Sequence, residues 1–454
     1  MSRLRRTGGA LAALLAVAGS AAAQQAPQAG EIPFETYRLE NGLRVILSPD
    51  RSTPVVAVNV WYDVGSRNER QGRTGFAHLF EHMMFQGSQN VEKGAHMTLI
   101  ERAGGSMNGT TSEDRTNYFQ TLPANRLNLG LWLEADRMRS LDITAENFEN
   151  QREVVKEERR LRVDNQPYTG SFLRALYQAS YNAESCFAYG HDVIGSMDDL
   201  NAAELRDVQE FFDTYYAPNN ATLTVVGDFD PAEARRLIQE YFADIPSGQA
   251  PAPVECGNPF VHLPVSETVP DPRANLPAFI SSYGIPEAGH PDSYALTLLG
   301  QILGSGESSR LNQRLVKEEQ AALQAQASAN VRRGPGVFLA LGISNQGVEV
   351  DRLERLIGEE IEKIRRSGVT QPELDKAKNQ YRARTIRARQ TALGRAEALQ
   401  YFAHFHDDPA AIRTDLERYQ AVTQADIQRV ANQYLTPQNR AVVIAQPAAT
   451  GTQE

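Results

Sequence analysis

The chain has 454 residues, 41% hydrophobic and 22% charged, enough apolar material for sizeable cores and too much for a disordered segment. At typical domain sizes this length predicts two to four domains. With 46 Lys+Arg against 56 Asp+Glu the formal net charge is −10, a poor basis for general nucleic-acid binding, and two cysteines are too few for a zinc-finger or disulfide-rich framework.

The chain opens on Met-Ser-Arg-Leu-Arg-Arg, runs into Ala, Leu and Val, and reaches Ala21-Ala22-Ala23 before Gln24. A basic start, a short apolar stretch and a small-residue cleavage site predict a signal peptide over residues 1–23. The apolar run from Gly8 to Ala23 is too short and Ala-rich for an anchor, and Thr7-Gly8-Gly9 does not complete a twin-arginine signal after Arg5-Arg6. The expectation is secretion across an inner membrane to the periplasm, with no membrane span in the mature chain.

Strands are predicted around Tyr37, over Leu43–Leu47 and over Val55–Tyr62. Phe76, Leu79, Phe80, Met83 and Met84 then fall at helical spacing, with Gly87 placed to stop that helix. Further helices are expected over residues 125–140, 146–162 and 202–216, and a buried strand over Ala221–Gly227. Cys186 and Cys256 leave one bridge or two free thiols open. From 246 to 272 the chain turns Pro-, Gly- and Ala-rich, and residues 248–272 are read as a linker between an N-terminal domain (24–247) and a C-terminal one (273–454). The second half echoes the first. A strand at 277–283, a helix at 292–303, Gly304-Ser305-Gly306 and a final strand at 440–444 predict a duplicated α+β unit.

The helix at 75–87 carries His78-Leu79-Phe80-Glu81-His82. His78 and His82 are i and i+4, so both imidazoles leave one helix face and can hold one metal, with Glu81 beside them. Neutral imidazoles suit Zn²⁺, and a carboxylate next to an activated water serves as general base for peptide hydrolysis. A catalytic zinc needs a third protein ligand; Glu149, Glu153, Glu157 and Glu158 are all available, and spacing does not choose among them.

Together with Asn41-Gly42-Leu43-Arg44-Val45, Val64-Gly65-Ser66, Gly104-Gly105-Ser106-Met107-Asn108, Tyr216-Ala217-Pro218-Asn219-Asn220 and Val226-Gly227-Asp228, this motif resembles the inverzincin metallopeptidases. These are the pitrilysin/insulinase family, which includes the mitochondrial processing peptidase, and the resemblance spans nearly the whole mature chain. It implies two α/β-sandwich halves enclosing a cavity, one Zn²⁺ per chain and a peptide substrate. It places the third ligand about 75 residues past the second histidine, at Glu158, with Glu157 as the alternative. Many members carry an acid where this chain has Gln151. The resemblance further implies that residues 105–116 form an edge strand able to bind an extended peptide, with Asn108 contacting its backbone.

The second half departs from that pattern. The Arg and Tyr that active members place seven residues apart fall here on Val316 and Leu323, and a register shifted to Arg314 pairs it with Ala321. None of Val316, Leu323 and Ala321 can hydrogen-bond through its side chain. The expectation is therefore a secreted zinc endopeptidase acting as the zinc-bearing subunit beside a homologous chain, or as a homodimer. The alternatives are a non-catalytic peptide-binding or scaffold subunit, and a zinc hydrolase acting on something other than peptides. His404-Phe405-His406 reads as a polar helix end, because i,i+2 residues do not share a face. His96, His191, His262 and His290 read as isolated structural or surface residues, and the basic run 376–389 as a solvated helix.

Overall fold

A computed structural model describes residues 32–448. The segment expected to be a signal peptide lies outside the described residues.

The first sheet contains β1 (Glu35–Arg38), β2 (Arg44–Pro49), β3 (Val55–Tyr62), β4 (Ser106–Thr111), β5 (Thr116–Pro123) and β6 (Ala221–Gly227), in the order β1-β2-β6-β3-β5-β4. The second contains β7 (Val265–Asp271), β8 (Ala278–Ile285), β9 (Ala322–Asn330), β10 (Gly336–Ser344) and β11 (Arg440–Pro447), in the order β7-β11-β8-β10-β9. Each sheet has one parallel pair, β2 with β6 and β7 with β11, and is otherwise antiparallel. From β2 onward the two sheets share one connectivity. The fold is thus the expected α+β arrangement of two similar halves, an internal duplication preserved in topology.

β3 reads Val-Val-Ala-Val-Asn-Val-Trp-Tyr without clean polar alternation because both of its faces are covered. Val56, Val58, Val60 and Tyr62 pack with the helix Phe76–Met83, while Ala57 on the other face packs with the helix Ala392–Phe405. That second helix belongs to the C-terminal half of the chain. In return, the helix Thr169–Leu176 of the N-terminal half packs on β8 and β11. Each half therefore lends a helix to its neighbour's sheet.

Two boundaries differ from the reading of the sequence. The expected linker over 248–272 ends in a strand, β7, which forms one edge of the second sheet. The 24–247 unit does not cover its own sheet without residues 392–405. Cys186 and Cys256 form a disulfide that ties the first half to the connecting segment.

The halves differ where helix meets edge strand. In the second, the helix Pro291–Gly304 lies on β9 so closely that a Cβ at Gly304 would stand 1.7 Å from the Ala327 nitrogen. The small residue is on the helix, and no side chain projects there. In the first half the small residue is on the strand: Gly109 of β4 leaves room for the helix to present Glu81. The edge strand expected over 105–116 is β4 at the sheet's margin, its partner β5 beginning at Thr116.

Candidate metal centre

The helix Phe76–Met83 buries Phe76, Ala77, Leu79, Phe80 and Met83 and turns His78, Glu81 and His82 the other way. Its N-terminus has no cap of its own, since Gly75 has a left-handed φ of 85° and no side chain. Glu69 takes that role from a distance. Its Oε2 accepts from Gly75 N at 2.9 Å and its Oε1 from Ala77 N at 2.7 Å. Behind it, His191 Nε2 lies 3.0 Å from Glu69 Oε2 and His191 Nδ1 2.9 Å from the Phe187 carbonyl. Burial lowers the His191 pKa, but the Glu69 hydrogen bond and charge outweigh it and raise the value overall.

The helix Ala145–Arg159, followed by a π-helical turn, carries Glu158 to the two histidines. Glu158 Oε2 is 3.3 Å from His82 Nε2 and 3.7 Å from His78 Nε2. Two ligands each about 2.0–2.1 Å from a shared tetrahedral zinc stand roughly 3.4 Å apart, so these separations fit a Zn²⁺ bound between the three groups. The other three candidate acids, Glu149, Glu153 and Glu157, face away. Glu149 pairs with Arg152, Glu153 with Lys156 and Glu157 with Arg160, each more than half exposed. Among the described residues, His78, His82 and Glu158 are the three whose ligand atoms converge within 4.8 Å.

His82 Nδ1 is 3.3 Å from Gln151 Oε1, which can only accept, so a ring hydrogen sits on Nδ1 and leaves Nε2, the atom facing Glu158, to ligate a metal or, when protonated, to donate to Glu158. His78 Nδ1 is buried and has no partner. Burial, and then the neighbouring His82, push the His78 pKa down to about 4, which keeps this imidazole neutral as a ligand must be. The hydrogen bond from His82 leads the effects holding Glu158 below the usual carboxylate range. Glu81 stands beside the cluster, its Oε2 accepting from Thr111 Oγ1 at 2.6 Å, and burial raises its pKa.

Asn108 is exposed on β4, and its Oδ1 accepts from Gly109 N at 3.0 Å. Alternation along the strand puts its side chain on the face away from Glu81, the side to which Thr110 also belongs. Val316 is half-buried against the second core and Leu323 is exposed on β9. Arg314 is taken up by Glu319 at 2.7 Å. Reasoning from sequence missed Glu69, Thr111 and Gly109, and assigned no partner to Gln151. His404, read as a polar helix end, is buried between the halves, its Nε2 2.9 Å from the Asp114 carbonyl.

A helix-borne His-x-x-Glu-His opposite a glutamate, in the first of two matched α/β halves, defines an M16-type metallopeptidase architecture. The chain belongs to peptidase family M16: the model for insulinase (peptidase family M16) matches residues 44–188, and that for the peptidase M16 inactive domain matches residues 202–381. The zinc protease PqqE of Helicobacter pylori is 31% identical over 91% of this chain and 93% of its own length. The crystal structure of a protease from Helicobacter pylori superposes with a TM-score of 0.87 at 30% identity, over 92% of this chain and all of that one. The periplasmic protease PqqL from Escherichia coli shares the fold, with a TM-score of 0.72 at 20% identity over 91% of this chain and 48% of that one.

Proposed function

We propose that this chain is a periplasmic zinc endopeptidase that cuts extended peptides or unfolded segments, and that it supplies the zinc-bearing half of a site completed by a homologous chain. The observation that carries the reading is the convergence of His78, His82 and Glu158 with Glu81 beside them. These three residues would hold one Zn²⁺, whose charge supplies the polarisation that makes water acidic and a carbonyl electrophilic. Glu81 takes the proton from the attacking water and returns it to the leaving amine. Thr111 fixes Glu81 through its Oε2, and Gln151 fixes the tautomer of His82.

The peptide adds to the free edge of the first sheet. Ser112 N bonds Arg115 O at the turn, so antiparallel alternation points the main-chain groups of Met107, Gly109 and Thr111 outward. Asn108 covers the Gly109 N–H and yields it to a substrate carbonyl, which gives Asn108 its place at the backbone of the peptide. The periplasmic setting is supported by the signal-like start of the sequence and by the description of the PqqL relative. No helix of the described residues is long and apolar enough to cross a membrane.

Val316 and Leu323, where active relatives carry Arg and Tyr, favour a second reading: a subunit that binds peptide without cutting it. One experiment separates the two. Peptide hydrolysis and zinc content are measured on the same samples of wild type and Glu81→Gln, alone and with any co-purifying homologue. Loss of at least about 100-fold in rate with zinc retained in Glu81→Gln is the expected result. Activity only with the homologue establishes the shared site, and zinc without hydrolysis in either sample moves the chain to the binding-subunit reading.

A further inference from the structure

A second feature of the molecule is a cavity of about 860 Å³ between the two halves, on the face of the first sheet opposite the His78 helix. It falls in the ~300–1,000 Å³ range of cavities that enclose small ligands. Its wall is aromatic: Trp61 of β3, Tyr294, Tyr381, Tyr401, Phe405 and Tyr419. Tyr401 stacks on Phe405 at 4.7 Å and Tyr381 on Tyr419 at 3.6 Å, yet Tyr401 remains 37% exposed, so the cavity is open to solvent.

Most charges in that wall are matched, and Arg384 lies over the Tyr381 ring at 5.6 Å rather than against an acid. Arg332 pairs with Glu113 at 2.8 Å and Arg389 with Asp415 at 3.4 Å, and Arg115 faces Glu397 and lies over the Trp61 ring. A charged ligand finds no uncompensated partner among these pairs, whereas a neutral aromatic group finds faces and edges to pack on. Two of the edge strands, β4 and β9, run into the cavity. β4 ends at Thr111 and the wall takes up Ser112 to Arg115; β9 ends at Asn330 and the wall includes Ala329 to Arg332.

Resting on the reading of β4 as the peptide-binding edge, we infer that this cavity is a specificity site for a large aromatic side chain of the bound peptide. The contact between Thr111 and Glu81 puts the reacting bond near the end of β4. At roughly 3.3 Å per residue, a strand continuing past Thr111 brings a residue about two to four positions from that bond to the cavity mouth. Only side chains of one parity face it, because alternate residues of a strand point to opposite faces of the sheet.

The test uses the zinc-loaded full chain, with any co-purifying homologue retained, as Glu81→Gln to prevent turnover. Trp61 and Trp132 are the two tryptophans of the chain, so Trp132→Phe leaves Trp61 as a reporter inside the cavity. Dodecapeptides of Ala, Ser and Gln carry one Phe, moved a residue at a time. Binding at least tenfold tighter at alternate positions than for the all-small peptide, with a change in Trp61 emission and loss of the preference in Tyr401→Ala, is expected. Equal or absent binding at every position, or a preference untouched by Tyr401→Ala, overturns the assignment. Hydrolysis of the same peptides by the wild type is scored separately. Phe-selective binding without cutting removes the peptidase reading and leaves the aromatic site standing.

Discussion

His78 and His82 leave one helix face but meet different surroundings at Nδ1: Gln151 holds His82, and nothing holds His78. Their i,i+4 spacing made this pair and Glu81 readable from sequence, because helix geometry alone dictates that they converge. The third acid was not readable in that way. Four glutamates of one helix were chemically equivalent on paper, and the family resemblance alone preferred Glu158. In the structure each of the other three is engaged by a neighbour on its own helix surface. Glu158→Gln is therefore expected to lower zinc affinity by more than the ~10–100-fold typical of losing an outer partner, while Glu157→Gln leaves it within about twofold. Competition with a chromophoric chelator measures both. Equal affinities in the two variants would remove Glu158 from the ligand set.

The His78 helix is eight residues long and begins at a glycine, too short and too poorly capped to stand on intrinsic propensity. Its apolar face is buried in the first core beside β4, β5 and the helix Ala145–Arg159, and its first turn is closed by Glu69, a fully buried carboxylate also in contact with His191. Sequence periodicity located the helix but could not find this cap, since Glu69 lies in the preceding loop and His191 more than a hundred residues away. Glu69→Ala leaves two buried N–H groups without acceptors and His191 without its counter-charge. The expected cost is about 3 kcal/mol in chemical denaturation, together with weaker zinc binding because the helix start loosens. A stability within 0.5 kcal/mol of wild type, a threshold of roughly one weak surface contact, would show that water replaces the carboxylate. β7 was hidden for a different reason. Its Pro270 and the neighbouring Pro264 and Pro272 read as linker, yet an edge strand tolerates proline, and its parallel partner β11 is the last strand among the described residues.

At the scale of the molecule, the duplication was visible as an echo of strand, helix and glycine-rich turn, and the two sheets bear it out in connectivity. The reciprocal loan of helices was not visible. An amphipathic pattern tells which face of residues 392–405 is apolar, never whose sheet that face will meet. The halves are joined where their edge hairpins abut. Arg332, fully buried among Tyr177, Tyr181 and Tyr189, pairs with Glu113, and Arg333 pairs with Asp63, which also bonds Arg67. Burial raises the Glu113 carboxyl, but Arg332, its own backbone amide and the Tyr177 hydroxyl outweigh this and hold it below its ordinary value. Burial likewise raises Asp63, and His404, Arg67 and Arg333 bring it below. A carboxylate with a depressed folded pKa stabilises the fold fully above its unfolded pKa, and that stabilisation is lost as pH falls through the folded value. The loss therefore starts near pH 4.5 for Glu113 and near pH 3.8 for Asp63, and deepens below. Protonating Glu113 leaves the Arg332 cation buried without its partner, so the junction between the halves weakens first. Glu113→Gln imposes that state at every pH. It is expected to cost about 3 kcal/mol at pH 6 and to show a smaller further loss between pH 5 and 3 than the wild type. Thermal unfolding across that range measures both, and an acid loss as large in the variant as in the wild type would detach the junction from Glu113.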